Sequence, residues 1–104
     1  MTIETYLESE QQQLIIKVSG RFDFSMHQVF RKATEQININ HIKHIIIDMK
    51  ETDYIDSSAL GMLLVLRDKM GEDREAVSIN NAKPEVRKIL DIANFNKLFS
   101  LSNN

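Results

Sequence analysis

The sequence contains no cysteine, only one proline and only three glycines among its 104 residues. The lack of cysteine excludes disulfides, thiolate catalysis and cysteine-based zinc sites. No apolar run approaches the ~20 residues that a membrane-spanning helix needs. The first residues also lack the basic start and apolar middle of a signal peptide. We therefore expect a cytoplasmic protein with no membrane partner.

No excess of positive charge is present either, because the net charge is −2 and the basic residues are dispersed. This balance argues against a nucleic-acid partner. The apolar share of 42% and the charged share of 27% are ordinary for a soluble globular chain. The length predicts a single domain over residues 1–104 with one hydrophobic core.

The first third of the chain predicts a hairpin followed by a helix. A weak strand over 2–8 and a stronger strand over 14–19, whose apolar residues alternate, flank a polar loop. Gly20 is expected to end the second strand. A helix should follow, with Ser25 or Asp23 as its N-cap. Its apolar face comprises Met26, Val29, Phe30, Ala33 and Ile37.

The remaining chain predicts further strands in alternation with helices. The β-branched run 44–49 is typical of a central strand buried on both faces. The run 59–66 is ambiguous by periodicity, but the polar cap before it, its leucine and methionine content, and the polar turn ending at Gly71 favour a helix. A short strand over 76–79 precedes a helix that Pro84 opens. The apolar face of that helix comprises Val86, Ile89, Leu90 and Ala93.

The predicted order is ββαβαβα, and the sequence KLFSL near the end suggests a short final strand or turn. Strands that alternate with helices imply parallel strand pairs, whereas the first hairpin is antiparallel. The fold class is therefore α/β, with a mixed four- to five-stranded sheet packed with helices.

Histidines and aspartates do not form a convincing catalytic or metal site. His41 and His44 straddle a loop-to-strand junction and His27 stands alone, so we interpret them as solvated surface residues. Asp48, which ends a central strand, loosely resembles the phosphate acceptor of a two-component receiver domain. That chemistry also needs an acidic pair after the first strand and a lysine after the last. No such acidic pair follows either early strand.

The aspartates Asp48, Asp53 and Asp56 are therefore expected to cap, turn or solvate their loop. The nucleophile-elbow pattern G-x-S-x-G and the Walker phosphate loop are also absent. We predict no catalytic residue, no metal and no cofactor, and we do not expect an enzyme.

The stretch YIDSSALG places three small polar groups before the most apolar run of the chain. Asp56 is a good N-cap, and Ser57 and Ser58 fall in the first helical turn, where backbone N–H groups are unpaired. Simple capping accounts for one polar residue better than for three. A phosphate on Ser57 would instead meet free N–H groups and the positive end of the helix dipole.

Several segments, in order, resemble the STAS domains of anti-sigma factor antagonists. These are the sequence GRFD from Gly20, the strand HIIIDM, the motif DSSALG from Asp56, and the closing stretch NNAKPEVRKILDIANFNKLFSL. The resemblance covers nearly the whole chain and implies a STAS-like fold. It also implies that the domain is a kinase substrate and a binding partner and has no catalytic activity of its own.

The family's site residues can be carried over by their positions in the motifs. Ser57 matches the phosphorylated serine, Asp56 its neighbouring carboxylate and Asp23 a loop acid near that site, while Ser58 matches a second hydroxyl that is normally not the acceptor. The surface implied to contact a partner comprises Asp23, Phe24, Ser57, Ser58, Ala59, Gly61 and Met62.

The resemblance implies partner switching by a chain that we expect to be monomeric. Unphosphorylated, it would bind an anti-sigma factor with serine kinase activity and so free a sigma factor; a metal-dependent serine phosphatase would reverse the phosphorylation. A STAS module that controls a non-sigma effector, such as a biofilm or second-messenger regulator, is the alternative. A STAS-like subunit of a transport or lipid-trafficking complex that is never phosphorylated is a third possibility, against which the intact DSS argues.

Two positions in the motif bear on partner fit. Ala59 stands where the family usually has glycine, and its methyl group is expected beside the acceptor serine. Gly61 costs helix propensity. It suggests either tight packing against the sheet or the close approach of a partner.

Overall fold

A computed structural model describes residues 2–35, 37 and 41–102. It contains the strands β1 (Thr2–Glu8), β2 (Gln13–Phe22), β3 (His44–Asp48), β4 (Thr52–Ile55), β5 (Val77–Asn80) and β6 (Ser100–Ser102). The α-helices of the described residues are α1 (His27–Thr34), α2 (Ser57–Lys69) and α3 (Pro84–Ile92). Short 3₁₀ turns lie at Ser9–Gln11, Phe24–Met26, Arg74–Ala76 and Phe95–Lys97.

The strands form one mixed sheet in the order β1-β2-β3-β5-β6, with β4 paired to the end of β2. β1 and β2 are antiparallel, and every other pair is parallel. The predicted α/β class, the antiparallel first hairpin and the short final strand are confirmed. The sheet has one strand more than predicted, since β4 is only four residues long and alternates poorly in polarity.

Gly20 does not end the second strand, and that prediction was wrong. β2 pairs with β3 up to Lys17 and then, from Gly20 onward, with β4. The register shifts between Gly20 and Arg21, and Gly20 has a φ of 87°. A glycine at positive φ allows the bulge at which the strand bends and changes partner. The strand therefore reaches Phe22.

The core lies on one face of the sheet, beneath the helices. The register aligns Leu14 with Ile45 and Val77, and all three are buried. Ile46 points to the opposite face and is only half-buried. The prediction that β3 is buried on both faces was therefore wrong, because the described helices pack their buried residues into a single core on the other side.

α2 and α3 form where the sequence predicted helices, whereas α1 ends at Thr34, before Ile37 of its predicted apolar face. Pro84 occupies the start of α3, and the predicted apolar face of that helix packs on the core. α1 is preceded by a 3₁₀ turn, and Phe30 of α1 packs against Phe22 with ring centroids 5.3 Å apart. Val29 is 52% exposed, so its assignment to the apolar face was wrong.

Candidate functional site

The candidate site lies where the parallel strands β2 and β4 end at the same edge of the sheet. Phe22 pairs with Ile55, so the residues that follow them, Asp23 and Asp56, leave the sheet at neighbouring positions. Each aspartate is the N-cap of the turn or helix that follows it. The register therefore brings together two acidic residues that are 33 positions apart in the sequence.

Asp56 caps α2 with its side chain. Its Oδ1 accepts a hydrogen bond from the backbone N–H of Ala59 at 3.0 Å, and its carbonyl accepts the first intrahelical bond, from Leu60, at 3.2 Å. The N–H groups of Ser57 and Ser58 precede that first bond and have no partner within the helix. The start of α2 thus keeps two donors directed outward along the helix axis, where the helix dipole is positive.

The first three residues of α2 differ in their exposure to solvent. Ser57 is exposed, Ser58 is half-buried, and Ala59 is completely buried in the core. The assignment of Ala59 to the partner-contact surface was therefore wrong, because its methyl group packs inward. The alanine at position 59, where the family usually has glycine, therefore adds a methyl group to the core. The exposed hydroxyl of this turn belongs to Ser57.

Asp23 is held by its own turn. Its Oδ1 accepts hydrogen bonds from the hydroxyl and the backbone N–H of Ser25, and its Oδ2 lies 3.5 Å from Nε of Arg21. The Ser25 hydroxyl, the Ser25 N–H and the Arg21 guanidinium together hold the pKa of Asp23 below its ordinary value of 3.8, against a smaller opposing effect of burial. Asp23 is therefore a fixed negative charge at this edge of the sheet.

Arg21 and Tyr54 flank the site, although sequence reasoning did not identify them. They are register partners in β2 and β4, and the guanidinium of Arg21 lies 4.2 Å from the centre of the Tyr54 ring. This is the geometry of a cation–π contact. Arg21 and Tyr54 meet only because β2 continues beyond Gly20 and pairs there with β4. The sequence did not predict this second pairing.

A groove of about 580 Å³ runs between α1 and α2 and begins at Ser58. Phe24, Gly61 and Met62, all predicted to contact a partner, line it. Met62 is largely buried, whereas Phe24 is 69% exposed. A Cβ placed on Gly61 would meet no atom within 4 Å, so tight packing against the sheet does not explain this glycine. Gly61 faces open space in the groove.

The histidines lie apart from the site or in structural contacts. His41 is exposed, and His27 stacks on Phe24 with ring centroids 5.6 Å apart. His44 is half-buried, and its ring nitrogens lie 3.0 Å from Gln13 Oε1 and 3.1 Å from Ser78 Oγ. Its interpretation as a solvated residue was wrong, because it links three strands of the sheet.

Asp48 and Asp56 cap or turn their loop as predicted, whereas Asp53 forms an ion pair. Asp48 accepts the backbone N–H of Lys50 at 3.0 Å, and Asp53 pairs with Lys83. Within the ranges that the structure describes, no three His, Cys, Asp or Glu residues form a group that could hold a metal ion. None of the helices in those ranges is long and apolar enough to cross a membrane.

The family profile of the STAS domain matches residues 5–104. The chain belongs to the STAS domain family. A STAS-domain containing protein of Pseudomonas aeruginosa strain UCBPP-PA14 is 46% identical over 102 residues, which cover 98% of this chain and all of that protein. The anti-sigma F factor antagonist of Paenibacillus polymyxa is 24% identical over 105 residues, covering all of this chain and 90% of that one.

The fold is that of SpoIIAA, an anti-sigma factor antagonist. The unphosphorylated form of SpoIIAA superposes with a TM-score of 0.74 at 16% identity, covering 99% of this chain and 88% of that one. Its phosphorylated form, from Bacillus, gives the same TM-score at 14% identity and covers 99% and 93%. The family resemblance and the STAS-like fold predicted from the sequence are confirmed.

Proposed function

We infer that this chain is an anti-sigma factor antagonist whose binding surface is switched by phosphorylation of Ser57. Unphosphorylated, it binds an anti-sigma factor that is also a serine kinase, and this binding releases a sigma factor. Phosphorylation breaks the contact, and a metal-dependent serine phosphatase restores it. The observation that carries this proposal is the exposed Ser57 at the open N-terminus of α2.

The start of α2 can accept a phosphate without unfolding. Ser57 is exposed, and the unpaired N–H groups of the first turn together with the helix dipole favour a negative group. A phosphate adds a charge of about −1.5 to −2 at neutral pH. Asp23 already pairs with Arg21, so part of the nearest fixed negative charge is compensated. The modification therefore changes the surface and leaves the core in place.

The same phosphate would oppose docking. A partner that covers Ser57 must remove water from the phosphate, and an unpaired buried charge costs about 3–5 kcal/mol. At 1.4 kcal/mol per tenfold, this corresponds to a loss of affinity of roughly a hundredfold to several thousandfold. A single modification can thus act as an on–off switch.

The identity of the partner is supported by the relative from Paenibacillus polymyxa, which is named for its action on anti-sigma F factor. Met62 and Phe24, close to Ser57 in sequence or register, supply apolar surface for such a partner. Asp23, Ser58 and Gly61 complete the contact surface. The same switch would operate if the partner controlled a non-sigma effector, such as a biofilm or second-messenger regulator.

The test is to incubate the full chain with a candidate anti-sigma factor kinase and Mg-ATP, and to locate the phosphate by mass spectrometry. We expect one phosphate, on Ser57. The matched variants are Ser57→Ala, which should remain unmodified, and Ser58→Ala, which should still be phosphorylated. Incorporation that is unchanged in Ser57→Ala, or a phosphate found only on Ser58, would refute the assignment.

A further inference from the structure

The groove between α1 and α2 extends well beyond the phosphorylation site. Both helices start at the edge where β2 and β4 end, and both lead back to strands parallel to these, so they run side by side in the same direction. Along α2 the lining residues include Ser58, Val65 and Lys69. The eleven steps from Ser58 to Lys69, at about 1.5 Å of rise each, make the groove about 16 Å long. That is the length of three helical turns.

The groove has an apolar lining that is open to solvent. Phe24, in the turn before α1, is 69% exposed, and Val65 of α2 is 57% exposed. Gly61, one turn before Val65 in α2, adds no side chain to the groove. An exposed apolar patch of this kind usually marks an interaction surface. The open space at Gly61 leaves room for a side chain of a binding partner.

Positive charge marks the end of the groove that is remote from Ser57. Arg31 and Lys69 line this end, and neither forms an ion pair with any carboxylate in the described ranges. By contrast, Arg87 and Lys83 both pair with aspartates. An apolar channel that ends at two unpaired cations is complementary to an amphipathic segment that carries a carboxylate.

The length and the charge of the groove suit a helix of a binding partner. A channel three turns long and open along one side is suited to helix-in-groove recognition, in which apolar residues at i, i+3, i+4 and i+7 enter the channel.

We propose that this groove binds an amphipathic helix of the partner protein, with its apolar face on Phe24, Met62 and Val65 and an acidic side chain at Arg31 and Lys69. The proposal rests on the binding function inferred above and adds the chemistry that the partner must present. Ser58 lines the groove but Ser57 does not. The helix site is therefore adjacent to the phosphate and distinct from it.

The probe is a synthetic 14-residue amphipathic helix with leucines on one face and two glutamates at one end, beside an otherwise identical peptide with two lysines there. Binding to the unphosphorylated full chain is measured by fluorescence anisotropy and by amide chemical shifts. We expect the glutamate peptide to bind at least tenfold more tightly and to shift amides of α1 and α2. Equal binding of the two peptides, or shifts elsewhere only, would overturn the proposal.

Substitutions inside and outside the groove test whether the peptide binds there. The double variant Arg31→Ser with Lys69→Ser should reduce the preference for the glutamate peptide below threefold, whereas Lys32→Ser, outside the groove, should not. Val65→Glu should weaken binding at least tenfold, and Leu64→Glu, which alters an exposed leucine of α2 outside the groove, should leave it unchanged. Unchanged binding by the double variant and by Val65→Glu would refute the groove.

Two other results would replace the helix with a different occupant. If dodecanoate shifts the same amides and the glutamate peptide does not, the groove is an acyl-chain site and the proposal is wrong. If light scattering detects a dimer that Val65→Glu abolishes, the occupant is a second copy. Because no kinase is present, these results are independent of whether Ser57 is phosphorylated.

Discussion

The starts of α1 and α2 are built alike but leave different groups accessible. Each follows a strand that ends at the same edge of the sheet, and in each an aspartate directly after the strand accepts a backbone N–H. Asp56 is the N-cap of α2, whereas Asp23 caps the 3₁₀ turn before α1; the N-cap of α1 itself is Met26, so the prediction of Ser25 or Asp23 was wrong. Asp23 also accepts the hydroxyl of Ser25, whereas no described residue hydrogen-bonds to the hydroxyl of Ser57. Both serines are exposed, but the hydroxyl of Ser25 is hydrogen-bonded in the cap, whereas the hydroxyl of Ser57 is not used by the cap.

The difference follows from the helix type at each start. α1 is preceded by a 3₁₀ turn, in which the carboxylate of Asp23 bonds the N–H two residues ahead. α2 begins as an α-helix, and the carboxylate of Asp56 bonds the N–H three residues ahead, on Ala59. Because the Asp56 carboxylate bonds to Ala59, it does not engage Ser57. The same capping residue thus produces either a closed turn or an exposed acceptor.

The largest expected effect concerns Ser57 and Ser25. After incubation with the kinase and Mg-ATP, the wild type and Ser25→Ala should both lose affinity for the anti-sigma factor, by roughly a hundredfold to several thousandfold. Ser57→Ala should keep its affinity, because it offers no acceptor. A pull-down before and after ATP addition measures this. Loss of binding by Ser57→Ala would show that another residue carries the switch.

A second prediction compares the two caps by stability. Asp56→Ala should lower the free energy of unfolding by about 1 kcal/mol, because the N–H of Ala59 loses its partner. Asp23→Ala should have a smaller effect, since it caps only a three-residue turn at the surface. Urea unfolding measures both, with Asp56→Asn as the control that retains an acceptor. A larger loss for Asp23→Ala would contradict the ranking.

A third prediction concerns the two small residues of α2. Gly61→Ala should raise the free energy of unfolding by up to about 1 kcal/mol, since alanine favours the helix and its Cβ would meet no neighbour. Ala59→Gly should lower it by a similar amount or more, because a buried methyl group is also lost. Phosphorylation of Ser57 should persist in Ala59→Gly. Thermal unfolding measures both variants. A lower melting temperature for Gly61→Ala, or a higher one for Ala59→Gly, would contradict the open space at Gly61 or the burial of Ala59.

The smallest expected effect is a pH dependence at Asp23. Because its pKa in the folded protein lies below the ordinary 3.8, Asp23 contributes stability at pH values above 3.8 and loses that contribution as the pH falls through the lowered pKa. The difference in unfolding free energy between wild type and Asp23→Asn should therefore shrink on acidification. Urea titrations over a series of pH values test this, and a constant difference would exclude the effect.

Sequence patterns predicted the elements with strong local signals. Asp56, before the apolar run of α2, and Pro84, at the first position of α3, marked both helix starts correctly. β4 was missed because four residues with two exposed between two buried ones give no clear period, and its existence depends on pairing with the end of β2. The Arg21–Tyr54 contact depends on that same pairing.

The site was only partly predictable for a similar reason. The motif identified Ser57, Ser58 and Asp56, but the direction in which each residue of a first turn points depends on how the helix sits on the sheet. This is why Ala59 was wrongly placed at the surface. The groove, which needs α1 and α2 side by side, has no signal in either helix alone.

The proposed switch is most directly tested by measuring the affinity of the full chain for a candidate anti-sigma factor in two purified forms, unphosphorylated and stoichiometrically phosphorylated on Ser57. Isothermal titration calorimetry should give a dissociation constant at least a hundredfold higher for the phosphorylated form, with the fold unchanged by circular dichroism. Equal dissociation constants for the two forms would contradict a switch at the start of α2.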